Sequence, residues 1–132
     1  MENLFRYGIA CSLDEVSVTA PITLRGDIES LCERSRKYGY EGIEIQLANP
    51  GKFDWDHVRK TKDAYGITVT ALATGREFHQ NKLYLLDENP AVRRAAVERL
   101  KEHVDVAAIV GAMVIIGSMR KDIPDFTRYD YY

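Results

Sequence analysis

Five polar side chains lie in, or shortly after, apolar runs that are typical of buried strands: Glu44, Gln46, Arg76, His79 and Arg120. Carboxylate and amide groups form hydrogen bonds with hydroxyl groups, and arginine can hold a carboxylate or phosphate through two parallel hydrogen bonds. In barrels built from alternating strands and helices, the ligand site lies at the carboxyl ends of the strands and in the loops that follow them. We therefore predict that these five residues bind a small polar substrate, and we assign no catalytic residue.

Glu44 and Gln46 alternate along their strand with branched apolar residues. A strand that is covered by helices is apolar on the covered side, so these two side chains should point to the opposite side, into a barrel. Glu44 then has two interpretations. It contacts substrate hydroxyl groups, or it forms an ion pair with Arg76 or Arg120, because an unpaired buried charge is strongly disfavoured.

The histidines do not predict a metal site. His79 stands in a loop without a second histidine or carboxylate at ligand spacing. His57 and His103 lie within predicted helices, where we expect surface or packing roles.

Composition excludes several classes of partner. The net charge of −2 arises from 18 basic and 20 acidic residues without a long run of either sign, which argues against binding to nucleic acid or to an anionic membrane. The two cysteines, Cys11 and Cys32, belong to no ligand cluster, and we expect buried thiols in a reducing compartment. Neither a leader-like segment nor a long apolar span is present, so we expect a cytoplasmic protein.

Four predicted strands alternate with three predicted helices along the chain. The strands cover residues 7–11, 42–47, 67–73 and 112–117, and the helices cover residues 28–38, 55–65 and 90–110. Asp27, Asp54 and Asn89 are expected to cap the helices at their amino ends, and Gly39, Gly66 and Gly111 to end them. The remaining long segments, residues 12–26 and 74–88, are expected to be loops.

This alternation predicts an α/β fold with a parallel sheet. About four parallel strands with three helices correspond to a partial, half TIM barrel, with residues 1–120 as the amino-terminal half and residues 121–132 as a truncated tail. We expect the pattern to continue beyond Tyr132.

Three segments carry a resemblance to a known family: residues 37–45, which contain Gly-Tyr-Glu-Gly-Ile-Glu, residues 65–71, and residues 92–100 with 111–117. They resemble the sugar phosphate isomerase/epimerase family, the xylose isomerase-like TIM barrels, over about residues 4–120. The resemblance implies a sugar or sugar phosphate as substrate. It also implies isomerisation or epimerisation of aldoses and ketoses by proton transfer through a metal-stabilised enediolate in full-length relatives. In this comparison, Glu44 matches a glutamate at the end of strand two that lines the sugar site.

The same resemblance implies a divalent metal, Mn, Mg, Co or Zn, held by residues of the second half of the barrel. The sequence ends before those strands, so we expect no metal for this chain alone and little or no isomerase activity from it alone. Two alternatives stay open. The chain could be a complete, flavodoxin-like binding module without catalysis, or an active enzyme whose metal site, built from Glu44, Asp14, Glu77 or His79, is assembled between two chains.

An open half-barrel leaves sheet edges and an inner face uncovered. We assign Ile9, Thr68, Thr70 and apolar residues of the last strand to that face. The expected partner is a second copy of the chain, in a homodimer formed through the exposed sheet edge or the open face.

Overall fold

The computed structural model describes residues 5–121 and residue 127. Its five strands are β1 (Gly8–Ser12), β2 (Leu24–Arg25), β3 (Gly42–Gln46), β4 (Thr68–Ala73) and β5 (Met113–Ile115). The three α-helices are α1 (Ile28–Lys37), α2 (Trp55–Tyr65) and α3 (Pro90–Val110). All strand pairs are parallel, in the order β2-β1-β3-β4-β5. This is a partial TIM-barrel arrangement, and the predicted α/β fold class is confirmed.

The three helices begin where the capping residues predicted, and α2 and α3 end directly before Gly66 and Gly111, whereas α1 ends one residue earlier than predicted. The side chain of Asp27 accepts a hydrogen bond from the amide of Ser30 at 2.8 Å, and Asp54 accepts one from the amide of His57 at 3.0 Å. Asn89 caps α3 in the same way, and Pro90 is its first residue. These side chains satisfy amide groups that have no partner within the helix.

The three helices pack against one face of the sheet. Side chains from α1, α2 and α3 share a single apolar core with those of four strands, which contains Leu31, Trp55, Ala107, Cys11, Leu24, Ile45 and Leu72 among others. A doubly wound, flavodoxin-like fold needs helices on both faces of its sheet. Within residues 5–121 the α-helices lie on one face only, so the flavodoxin-like alternative is wrong.

Strand β2 is a correction to the predicted strand count. Its two residues lie inside the segment predicted as a loop and pair with Cys11 and Ser12 at the far edge of β1. Two residues are too few for a periodic apolar pattern to be recognised in the sequence.

Two expectations about apolar faces were also wrong. Ile9 pairs in register with Ile43 and packs on the helix-covered core, so it does not belong to the open face. On α3, the spacing of apolar residues predicts a buried stripe of Val92, Ala96, Leu100, Val104 and Ala107. Val104 is instead 53% exposed, whereas its neighbour His103 is fully buried. His103 lies seven residues after the buried Ala96, which places both on the same side of a helix with 3.6 residues per turn.

The open face carries the residues that alternate with this core. Glu44 pairs in register with Ala71 of β4, and Gln46 pairs with Ala73. Their neighbours on β5 are Met113, which is 71% exposed, and Ile115, which is 41% exposed. The predicted orientation of Glu44 and Gln46, away from the helices, is therefore confirmed.

Within the described residues, no helix has both the length and the apolar character that crossing a membrane requires.

Candidate functional site

A cleft of about 630 Å³ lies at the carboxyl ends of β1, β3 and β4. Its lining includes Gln46, Gly75, Arg76, His79, Gln80 and Ser118, together with residues 16, 17 and 19–22 of the segment after β1. Three of the five predicted site residues, Gln46, Arg76 and His79, therefore meet in one cavity. They come from β3 and from the segment after β4, which parallel pairing brings to the same end of the sheet.

Arg76 is held by the protein itself. Its Nη1 lies 2.8 Å from Ser12 Oγ and 3.1 Å from Asp14 Oδ2, and its Nη2 donates to the carbonyl of Glu15 at 3.2 Å. Further acceptors are the carbonyl of Gln46 and the side-chain oxygen of Gln80. The side chain is 9% exposed, and its guanidinium links the end of β4 to the ends of β1 and β3.

Glu44 is bonded to its neighbour on the open face. Its Oε1 accepts a hydrogen bond from Gln46 Nε2, at 2.5 Å. Among the described residues, no hydrogen bond or ion pair joins Glu44 to Arg76 or Arg120, so of the two interpretations of Glu44 the ion pair with an arginine is wrong. The bond orients the Gln46 amide, whose Oε1 lies toward Gly75 at the floor of the cleft.

His79 lies on a π turn, Glu77–Asn81, inside the segment that the sequence predicted to be a loop. Single turns of π-helix are rare, and those inside α-helices are frequent at functional sites. The exposed imidazole contacts the ring of Phe78 edge-on, with 4.9 Å between the ring centroids. One face of the turn thus presents His79 and Gln80 to the cleft.

The other face of the π turn is anchored in the protein interior. Glu77 is fully buried, and its Oε1 lies 3.1 Å from Arg99 Nη1 of α3. Its Oε2 accepts a hydrogen bond from Asn81 at 2.6 Å, and its Oε1 lies 3.7 Å from Nε2 of the buried His103. This cluster fixes the turn against α3. His103 is therefore a packing residue, as expected.

Arg120 lies outside the main cleft, in a neighbouring cavity of about 440 Å³. That cavity is lined by Phe78, Gly117, Ser118, Arg120 and Lys121. Ser118 lines both cavities, so the two adjoin at this residue.

His57, the remaining histidine, is exposed on α2, and its Nε2 lies 2.8 Å from Glu29 Oε1. The surface role that the sequence predicted for it is confirmed.

The metal that the resemblance implies does not fit the described part of the chain. No group of three or more His, Cys, Asp or Glu side chains comes together there. Asp14 is paired with Arg76, and Glu77 with Arg99. The four residues considered for a shared metal site, Glu44, Asp14, Glu77 and His79, are therefore not gathered at one point.

The cysteines are buried thiols, as expected. Burial raises the pKa of Cys11 to about 12, with smaller contributions from Cys32 and Glu44. Burial also raises the pKa of Cys32 to about 11, with Glu29 adding to the shift and Lys62 opposing it. Both groups stay protonated at neutral pH, so neither is a nucleophile.

Sequence reasoning missed the contribution of the segment after β1. Residues 16, 17 and 19–22 line one side of the cleft, and the hydroxyl groups of Ser17 and Thr19 lie 2.8 Å apart there. The position of this segment at the carboxyl end of β1 was the available signal, because it places the segment at the same end of the sheet as Gln46 and Arg76.

The sequence model of a protein family described as "Xylose isomerase-like TIM barrel" matches residues 32–130. This chain belongs to that family. The match begins later than the segment-by-segment resemblance, which started near residue 4, and covers the second half of α1 and all of β3, α2, β4, α3 and β5. No curated protein matches the chain significantly. Membership in the xylose isomerase-like family agrees with the partial barrel and with the position of the cleft, and it indicates a sugar isomerase/epimerase-like function.

Proposed function

We propose that this chain binds a small sugar or sugar phosphate in the cleft at the carboxyl ends of its strands, as part of a sugar isomerase/epimerase-like protein. The observation that carries the proposal is that Gln46, Arg76 and His79 meet in a cleft of about 630 Å³ in a member of the xylose isomerase-like family. Clefts of roughly 300–1,000 Å³ are the usual size for small-molecule sites.

The cleft offers the groups that a polyol requires. Gln46 presents an amide oxygen that its bond to Glu44 orients, and amide oxygens accept hydrogen bonds from hydroxyl groups. His79 and Ser118 are exposed, and their side chains can donate hydrogen bonds to a sugar hydroxyl group or accept them from it. Arg76 has a structural role in this proposal, because its terminal nitrogens are already bonded to protein acceptors.

In full-length relatives, the resemblance implies interconversion of aldoses and ketoses, or epimerisation, in which a proton leaves a carbon next to the carbonyl and is returned to the intermediate. The family resemblance assigns a divalent metal to this chemistry in full-length relatives, and the described residues do not fit such an ion. Asp14 and Glu77 each pair with an arginine. We therefore propose that this chain binds the sugar without converting it.

We also propose a cytoplasmic location for the protein.

Isothermal titration calorimetry with a ketose, D-fructose, tests sugar binding directly. Replacement of His79 by alanine should weaken binding by about 5- to 10-fold, because one neutral hydrogen bond is worth roughly 1 kcal/mol. The matched control is His57→Ala, which removes an exposed histidine on α2 away from the cleft. Equal affinities of the two variants and the unaltered chain would place sugar binding elsewhere.

A further inference from the structure

We propose that the cavity around Arg120 is an anion subsite that receives the phosphoryl group of a sugar phosphate whose sugar part lies in the main cleft. The inference rests on the proposed function and decides between its two substrate classes, free sugars and sugar phosphates, in favour of sugar phosphates.

Among the described residues that line the main cleft, no lysine or arginine side chain is free to bind an anion. Arg76 is the arginine there, and Asp14 Oδ2 at 3.1 Å balances its charge. The two terminal nitrogens of Arg76 together contact five protein acceptors. A phosphoryl group placed beside Arg76 would have to displace these bonds, at the cost of leaving Asp14 unpaired in a largely buried position.

The adjoining cavity provides the missing charge. Arg120 is exposed there, and within the part of the chain that the structure describes its side chain forms no ion pair or hydrogen bond. Its neighbour Lys121 contacts Asp87 at 2.8 Å, and this bond is the main reason that the pKa of Asp87 is lowered. Lys121 is thus neutralised by its partner, and the net positive charge of the cavity belongs to Arg120.

The backbone that carries Arg120 is anchored on both sides. The preceding residue, Met119, is fully buried, and its carbonyl accepts a hydrogen bond from the amide of Leu85 at 2.9 Å. On the other side, the amide of Lys121 donates to the carbonyl of Ser118 at 3.0 Å. A guanidinium on a fixed turn suits a phosphoryl group, because it can form two parallel charge-assisted hydrogen bonds without ordering the backbone.

Ser118 connects the two cavities. Because it lines both, a single ligand that passes Ser118 can place hydroxyl groups beside Gln46 and His79 and its phosphoryl group beside Arg120. The subsite therefore selects ligands that are neutral at one end and anionic at the other.

The experiment compares D-fructose with fructose 6-phosphate by isothermal titration calorimetry at low ionic strength. The unaltered chain should bind the phosphate ester at least about 10-fold more tightly than the free sugar, because charge-assisted hydrogen bonds are about twice as strong as neutral ones. Arg120→Ala should abolish this preference while leaving the affinity for D-fructose unchanged. The control Arg94→Ala removes an exposed arginine near the start of α3 and should keep the preference.

A second probe separates this inference from the proposed function. Inorganic phosphate alone should shift the backbone amide resonances of residues 117–121 in the unaltered chain, and not in Arg120→Ala. If D-fructose binds and fructose 6-phosphate binds no more tightly, the subsite is wrong and the proposed function is still supported. If neither sugar binds while phosphate still shifts these amides, the proposed function fails and the anion site remains. Phosphate shifts that persist in Arg120→Ala would overturn the subsite.

Discussion

Arg76 Nη1, on the segment after β4, lies 3.1 Å from Asp14 Oδ2, on the segment after β1. The pair spans the intervening strand β3, whose last residue, Gln46, also contributes its carbonyl oxygen to the arginine. One buried guanidinium thus joins the ends of three neighbouring strands. The position of the cleft floor depends on this link.

Replacement of Arg76 by alanine should lower the free energy of unfolding by about 3 kcal/mol, since removing one partner of a buried ion pair leaves the other charge uncompensated. The side chains of Arg76 and Asp14 are only 9% and 16% exposed. Urea denaturation measures the change. The double variant Arg76→Ala with Asp14→Asn should recover part of the loss, because it removes both charges. A loss below about 0.5 kcal/mol would mean that the pair behaves as an exposed salt bridge.

Glu44→Gln should reduce sugar affinity more than it reduces stability. The variant keeps the size of the side chain and removes the charge that orients the Gln46 amide. We expect a several-fold weaker affinity for D-fructose in calorimetry, with a melting temperature within a few degrees of the original. A large fall in melting temperature with unchanged sugar affinity would assign Glu44 a structural role.

The two thiols should be unreactive in the folded protein. The pKa values of Cys11 and Cys32 are raised to about 12 and about 11, from an ordinary value of 9.0. At pH 8, Ellman's reagent should modify both cysteines in denaturant and neither under native conditions. Rapid modification of the native chain would show that one thiol is accessible and ionised.

The same shifts predict a loss of stability at alkaline pH. Above pH 9 the unfolded chain releases its thiol protons, whereas the folded chain keeps them until its raised pKa values are reached. The thiol contribution to stability is therefore complete below pH 9 and is lost between pH 9 and about pH 12. Urea denaturation should show that the free energy of unfolding falls less between pH 9 and about pH 12 in Cys11→Ala than in the unaltered chain. An equal dependence of that free energy on pH in both proteins would contradict this assignment.

The open face of the sheet should be covered by a second copy of the chain. Met113 and Ile115 of β5 are 71% and 41% exposed, and exposed edges and apolar faces favour association. Light scattering on a size-exclusion column should give twice the chain mass of 15.0 kDa. Met113→Lys should shift the mass toward the monomer, while Val18→Lys, at an exposed position in the segment after β1, should not. A monomer at high concentration would contradict the proposed homodimer.

Much of the fold could be predicted because local signals and burial agreed. The capping residues Asp27, Asp54 and Asn89 stand where the apolar periodicity changes, and each forms the bond that its position indicated. The alternation around Glu44 likewise predicted which side of β3 faces the helices.

What could not be predicted depends on contacts between distant segments. Arg76 and Asp14 are 62 residues apart in sequence, so nothing local indicates that they pair. In the same way, the position of Glu77 after the end of β4 suggested a role in the site, yet its side chain pairs with Arg99 of α3. Burial of His103 beside this carboxylate also displaced the predicted apolar stripe on α3.

The most direct test of the sugar-binding cleft is a titration of the isotope-labelled chain with D-fructose, followed by two-dimensional amide NMR. The account predicts that the shifted resonances belong to the cleft-lining residues that carry a backbone amide: Val16, Ser17, Thr19, Ala20, Ile22, Gln46, Gly75, Arg76, His79, Gln80 and Ser118. Resonances of the helix-covered side, such as those of α2, should stay unchanged. Shifts confined to residues outside the cleft, or no shift at saturating sugar, would contradict the central claim.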